Sequence, residues 1–179
     1  MVESPPSRSQ IHAEMERARR EFHSLMDRST PDALARPSNG TCWTNRQLLF
    51  HMLFGYLVTR NLRIIVKCVA RLPLPVQAGF ARLLDAATRP FDQINYLGSC
   101  AGGRVLTSAR MGRWCDRVID SLHRHLDADS NAALRRSMSF PVRWDPYFAD
   151  RMSLADVYHY ATLHFDHHRR QLTLADEAT

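Results

Sequence analysis

Two histidines near the C-terminus are spaced so that they could hold one metal ion. His164 and His168 are four residues apart, and residues four apart lie on one face of a helix, about one turn from each other. Ser153 and Asp156 form a capping box that predicts the start of this helix, and neither Gly nor Pro follows up to Thr179. The face with the two histidines is otherwise apolar, carrying Leu154, Tyr158, Ala161, Phe165 and Leu172. A buried imidazole without a partner costs a few kcal/mol, so we expect something to satisfy both side chains.

A third histidine, His51, lies in the most apolar part of the chain. The run 48–58 belongs to a predicted helix over about 45–72, which a capping box at Thr44 begins and Pro73 ends. The spacing of the apolar residues places His51 on the buried side of that helix. Three imidazoles with a fourth position open are a usual way to hold catalytic zinc, and nickel, iron or copper accept the same ligands.

Gln171 extends this metal hypothesis. It lies one turn beyond His168, where its side chain could bond a metal-bound water or orient a ligand. The alternative is that each histidine is structural and bonds a backbone carbonyl in the core. In that case the outer faces of the helices would serve to bind a partner protein.

The histidine helix excludes several classes of catalytic site. A zincin has Glu directly after the first His, where Phe165 stands, and the inverted motif has Glu before the last His, where His167 stands. Asp166 and His159 fall on the polar face, so we expect both to be solvated. His167 remains an alternative ligand to its neighbours. The sequence contains no nucleophile elbow, phosphate loop or dinucleotide fingerprint.

The composition excludes other classes of protein. Hydrophobic residues make up 45% and charged residues 23% of 179 positions, which is ordinary for a globular domain. The net charge of +6 comes almost entirely from arginines spread over helix surfaces, so we expect no nucleic-acid partner. The longest apolar run is shorter than the ~20 residues of a membrane span, so we expect no membrane association. Four widely spaced cysteines and no recognisable signal peptide predict reduced thiols in a cytoplasmic protein.

Four amphipathic segments predict an all-α four-helix bundle in a single domain over 1–179. These segments are about 8–28, 45–72, 104–128 and the histidine helix from 154 onward. Pro, Gly, Ser and Asn predict loops in the connecting segments 29–42 and 129–152, and residues 1–7 are predicted to form a flexible tail.

Residues 73–103 form an apparent insertion between the second and third long helices. A short helix is predicted over about 75–89, and Gly98–Gly103 is predicted to be a flexible turn. Cys100 lies in that turn and is the one thiol expected to be exposed, whereas Cys115 is expected to pack in the core. The insertion is long enough to cross the bundle, so its flanking helices need not be antiparallel neighbours.

Two short motifs resemble those of a known family. Trp43-Thr44 followed by Leu48, Leu49 and His51, and much later by His164-x-x-x-His168-x-x-Gln171, is similar to the DinB/YfiT-like superfamily of metal-dependent enzymes. The resemblance implies a bundle of up-down-down-up topology, with a divalent metal, zinc or nickel, bound by the three histidines. This chain differs from many family members at Arg170, where they have Gly, and in the insertion 73–103.

The resemblance also implies an activity. Relatives use a low-molecular-weight thiol, such as bacillithiol, mycothiol or glutathione, for S-transfer or isomerisation. We therefore expect a thiol-dependent transferase, or a hydrolase, acting on a small electrophilic molecule. The alternative is a bundle that holds a metal or small ligand without turnover, as a stress-response protein would. Exposed helix faces also make a homodimer plausible.

Overall fold

The computed structural model describes residues 6–174, which form a helical bundle with one small hairpin. The elements of this range are α1 (Arg8–Arg28), α2 (Pro31–Ala35), α3 (Asn45–Val69), α4 (Leu74–Ala86), α5 (Thr88–Val105), α6 (Ser108–Ala128), α7 (Asn131–Leu134), β1 (Ser137–Ser139), β2 (Arg151–Ser153) and α8 (Leu154–Arg169). The two strands pair antiparallel, with Met138 opposite Met152. The all-α prediction is confirmed.

Helix α1 packs against both α6 and α8. On the α6 side, His12 bonds Asp127 near one end and His23 bonds Asp116 near the other. The residue numbers rise on α1 while they fall on α6, so these two helices are antiparallel.

The α1–α8 contact has the opposite sense. Glu14 bonds His159, and farther along both helices Glu21 forms an ion pair with Arg169. The residue numbers rise together, so α1 and α8 run in the same direction.

Helix α3 packs against the same two neighbours from the other side of the bundle. The Asn45 amide donates to Thr173 just beyond α8, and the hydroxyls of Tyr56 and Thr162 lie 3.2 Å apart, so α3 and α8 are antiparallel. The four long helices therefore run up, down, down and up, as the family resemblance implied. Because α3 and α6 are parallel, the chain must cross the bundle between them, and α4 and α5 make that crossing.

The core forms where the apolar spacing predicts it. The inward residues of α1 are Ile11, Met15, Ala18, Phe22 and Met26, and those of α6 are Met111, Cys115, Val118, Leu122 and Leu126, all buried. Among the described helices, α3 alone is long and apolar enough to cross a membrane, and 61% of its most apolar window is buried inside the bundle. Such burial is expected of the central helix of a bundle.

The predicted turn at Gly98–Gly103 is wrong, because these residues belong to α5. A Cβ atom on Gly102 would lie 2.4 Å from the Phe50 ring, and one on Gly103 would lie 2.8 Å from Gln47 Cα. The glycines let α5 approach α3 closely, and they do not break the helix. Glycine occurs both where a helix breaks and where two helices approach closely, so its position in the sequence did not distinguish these cases.

Several other boundaries also differ from the predictions. Helix α3 ends at Val69, α6 begins at Ser108, and the two predicted loops contain α2, α7 and the hairpin. Helix α8 ends at Arg169 and does not continue toward the C-terminus. Gln171 lies in the following turn, where its carbonyl oxygen accepts from the Asn39 backbone amide at 2.8 Å. The predicted tail 1–7 lies mostly outside the described residues.

Candidate metal centre

Helices α3 and α8 bring the three predicted histidines to one point. One ligand nitrogen from each of His51, His164 and His168 lies within 4.8 Å of the others. The Nε2 atoms of His51 and His168 are 3.1 Å apart. His164 packs against Gly55 of α3, where a Cβ atom would come within 2.5 Å of the imidazole. The close approach of α3 and α8 therefore depends on a residue without a side chain.

An acidic residue holds His164 from outside. The Nδ1 atom of His164 donates to Asp145 Oδ2 at 3.0 Å, and the Tyr160 hydroxyl donates to the same oxygen at 2.9 Å. Asp145 lies in the loop between β1 and β2. This carboxylate–histidine pair fixes the imidazole with its hydrogen on Nδ1, so the Nε2 lone pair faces the cluster.

The other two histidines are held in the same way. His51 Nδ1 lies 3.2 Å from Ser99 Oγ on α5, and that hydroxyl donates to the Asn95 carbonyl oxygen at 2.8 Å. The Ser99 oxygen is therefore free to accept from His51. His168 Nδ1 donates to Gln171 Oε1 at 2.6 Å. All three imidazoles thus place Nδ1 outward and Nε2 inward, which is how second hydrogen bonds orient metal-bound histidines.

Burial keeps the inward nitrogens of His51 and His168 unprotonated. It lowers the pKa of His51 well below its ordinary value, and the neighbouring His164 and His168 lower it further. Burial likewise lowers the pKa of His168 to about 4. Although burial alone would raise the pKa of Asp145, its hydrogen bond from His164 and its proximity to that residue lower it overall. Neutral imidazoles beside an ionised carboxylate are the forms that bind metal.

The residues present fit a divalent metal ion. The inward Nε2 of His164 is buried and has no hydrogen-bond partner, which costs about 1–3 kcal/mol in the absence of a ligand. Three convergent imidazole nitrogens suit zinc, nickel, copper or iron, and they leave further coordination positions for a small molecule. A cavity of about 20 Å³ beside His51, Asp145 and His164 has room for one water molecule or ion.

A larger cavity adjoins the cluster at His168. Its volume is about 350 Å³, and its lining includes Trp43, Asp92, Tyr96 and Gln171. A cavity of this size suits a small organic molecule.

The aromatic ring of Trp43 covers one side of the cluster. It stacks on His51 with ring centroids 4.4 Å apart. In the sequence, Trp43 stood out only as part of the motif that resembles the family, and no contact with His51 was expected. A third cavity, of about 420 Å³, lies between Arg46 and Arg104 and does not reach the histidines.

The insertion helps to position Asp145. Trp144 donates its indole N–H to the Leu84 carbonyl oxygen of α4 at 2.7 Å and stacks on Phe91 of α5 at 4.0 Å. Helices α4 and α5 therefore anchor the loop that carries the carboxylate, and α5 also supplies Ser99. Sequence patterns missed both residues, because neither lies in a motif and each comes from an element remote from the histidines.

Two other histidines have partners outside the cluster. His159 was predicted to be solvated, but its Nδ1 bonds Glu14 of α1 at 2.7 Å. His167 lies 3.2 Å from the Tyr147 hydroxyl and packs its ring edge against His168. It contributes no nitrogen to the cluster. Asp166 lies on the outer face of α8, as predicted, and it pairs with Arg17.

The exposure of the cysteines differs from the prediction. Cys100, which was predicted to be exposed, is half-buried in α5. The exposed thiols are Cys42 and Cys68. Cys115 is buried as predicted, and burial raises its pKa to about 12. Cys100 was predicted to be exposed because the segment around it was predicted to be a turn, and that segment is part of α5.

The fold and the site together define an all-α bundle that gathers histidines from two helices into a centre able to hold a metal ion. The chain belongs to the DinB superfamily, whose family model matches residues 14–172. This family is associated with metal binding. No curated protein matches the chain significantly, and neither does any solved structure.

Proposed function

We propose that this protein is a metal-dependent enzyme that transfers a low-molecular-weight thiol to a small electrophilic molecule. The observation that carries the proposal is the convergence of the Nε2 atoms of His51, His164 and His168 beside a cavity of about 350 Å³. The three histidines would hold the metal. When bound, a zinc or nickel ion lowers the pKa of a coordinated thiol and so supplies a thiolate at neutral pH.

The roles of the surrounding residues follow from their contacts. Asp145 and Gln171 hold His164 and His168 in the tautomer that leaves Nε2 free. Trp43 covers His51 and excludes water from that side of the cluster. A thiol bound in the cavity would lie against the ring of Trp43, with its sulfur toward the histidines.

A thiol substrate suits this site better than hydrolysis does. Water, with a pKa of about 15.7, holds its proton far more tightly than a thiol with a pKa of about 8.5, so hydrolysis gains more from a nearby base. Asp145 is the carboxylate that contacts the cluster in the described part of the chain, and its Oδ2 already accepts from both His164 and Tyr160. A thiol activated by the metal needs no such base. Such an enzyme would work in the cytoplasm, where small thiols stay reduced.

Elemental analysis of the purified protein, followed by a conjugation screen, tests this proposal. We expect about one zinc or nickel ion per chain. The loaded protein should consume an aromatic or alkyl electrophile only when bacillithiol, mycothiol or glutathione is present. Loss of metal in His168→Ala should abolish turnover. Turnover that is unchanged after complete metal removal would contradict the proposal.

A second candidate function is metal or ligand binding without turnover. The burial of His51 and His164, which are 2% and 6% exposed, favours this alternative because a closed site limits access to the ion. Stoichiometric metal without turnover on any thiol and electrophile pair would support it. The two functions share the metal, so only the conjugation screen separates them.

A further inference from the structure

A second pair of histidines lies outside the central cluster, on the seam between α1 and α6. The Nδ1 atoms of His12 and His123 are 2.5 Å apart. Their ring planes differ by 14° and the ring centroids are 4.8 Å apart, so the two imidazoles meet edge to edge, nearly in one plane. The central histidines lie between α3 and α8 and make no contact with this pair.

The other nitrogen of each ring faces a carboxylate. His12 Nε2 lies 2.9 Å from Asp127 Oδ1, and His123 Nε2 lies 2.6 Å from Glu16 Oε1. An ionised carboxylate accepts hydrogen bonds and cannot donate them, so each Nε2 carries a hydrogen. Each neutral ring then has a bare lone pair on Nδ1, and the two lone pairs point at each other.

A positive group must therefore lie between the two rings. The row of carboxylate, imidazole, imidazole and carboxylate contains three contacts, whereas two neutral imidazoles supply two hydrogens. The carboxylates add two negative charges. Arg19 lies 3.4 Å from Glu16 but pairs more closely with Asp120, at 2.5 Å, so it offsets the charge of Glu16 only in part. A cation bound by both Nδ1 atoms would satisfy the lone pairs and the remaining charge together.

We infer that His12 and His123 bind a divalent transition-metal ion through their Nδ1 atoms, with Asp127 and Glu16 orienting the rings. This is the arrangement in which metal-bound histidines donate their second N–H to a carboxylate. Tetrahedral metal–nitrogen bonds of about 2.0–2.1 Å place two nitrogens roughly 3.3 Å apart, so the pair must open by less than about 1 Å and both rings must turn until their lone pairs meet at the ion. The side chains are 28% and 18% exposed, which gives the ion a path from solvent and the rings room to turn.

The ion would join two helices that are remote in sequence. His12 is in the first turns of α1 and His123 is near the end of α6, 111 residues later. A metal that binds both in the folded state stabilises that state, because the unfolded chain does not hold the two rings together. This site does not depend on the proposed function, since it shares no residue with the central cluster.

Titration of the full-length protein with Ni²⁺, followed by calorimetry, tests the inference. Wild type should show a strong central site and a weaker second site. Both His12→Ala and His123→Ala should lose the second site and keep the first. His23→Ala is the matched control, because His23 also bonds an α6 carboxylate, Asp116, but faces no second imidazole within residues 6–174. It should keep both sites.

Two further variants show whether Ni²⁺ binding at the second site depends on the orienting carboxylate and whether it is independent of the central site. Asp127→Ala should weaken the second site about 10–100-fold, as expected for loss of an orienting carboxylate. His168→Ala should remove the central site and keep the second. Ni²⁺ isotherms of His12→Ala and His123→Ala that match wild type, with folding checked by circular dichroism, would overturn the inference. The inference would also be overturned if His12 and His123 took up a proton but no Ni²⁺.

Discussion

The Nε2 atoms of His51 and His168 lie 3.1 Å apart, although 117 residues separate them in the chain. Their Nδ1 atoms face Ser99 and Gln171, so both inward nitrogens present lone pairs at the same point. This relationship exists only because α3 and α8 are antiparallel neighbours. Substitutions at and around the two residues test whether these nitrogens serve to bind metal.

Each of the three histidines should be necessary for metal binding. We expect His51→Ala, His164→Ala and His168→Ala each to lower zinc affinity by more than about 100-fold, because loss of even an outer partner costs about 10–100-fold. Affinity is measured by competition with a chromogenic chelator. His159→Ala is the control, because His159 faces Glu14 and not the cluster. This variant should keep the wild-type affinity for zinc. Retained zinc in all three ligand variants would refute the site.

Asp145 should act on the metal through His164. Asp145→Ala removes the acceptor that orients the imidazole, so zinc affinity should fall about 10–100-fold. The same chelator competition measures this change. Asp166→Ala is the matched control, because Asp166 pairs with Arg17 on the outer face of α8 and should leave zinc affinity unchanged. Equal effects of the two substitutions would argue against an orienting role.

Gly55 should tolerate no side chain. In Gly55→Ala the new methyl group would lie 2.5 Å from His164 Cδ2, so we expect a loss of about 1–3 kcal/mol in the free energy of unfolding together with weaker zinc binding. Urea denaturation measures the first quantity. Gly79→Ala is the control, because no atom lies within 4 Å of the added carbon. That variant should gain about 0.5–1 kcal/mol from helix propensity.

The metal-free protein should lose stability in mild acid. The pKa of His168 is about 4 in the folded protein and 6.5 for the free side chain, so between these values the unfolded chain binds the extra proton. The free energy of unfolding should then fall by about 1.4 kcal/mol per pH unit for this histidine as pH decreases from 6.5. Above pH 6.5 the contribution is constant.

Urea titrations in a chelator, repeated at several pH values, measure this slope. His168→Gln is the comparison, because it removes one titrating group and should reduce the slope by about the same amount. Parallel pH profiles for the two proteins would contradict the prediction. Burial of His51 also lowers its pKa, so part of the slope should remain in the variant.

The bundle could be predicted from the sequence because helical amphipathicity is a local property. Apolar residues at Ile11, Met15 and Phe22 recur at helical spacing, and the structure buries each of them. The same spacing predicts that the side chains of His164 and His168 point into the bundle. The glycines of α5 show the limit of local patterns, because Gly102 is required by Phe50 on another helix.

Sequence alone therefore determined the four long helices of the bundle and which histidines face inward, since both depend on neighbours within a few turns. Only the tertiary structure decided what meets those histidines. Asp145 reaches His164 from the hairpin loop, and Ser99 reaches His51 from α5. Neither contact leaves a periodic signal, because each depends on how remote elements pack. The physical reason is that spacing along a helix fixes the direction of a side chain, whereas its partner is fixed by long-range packing of the chain.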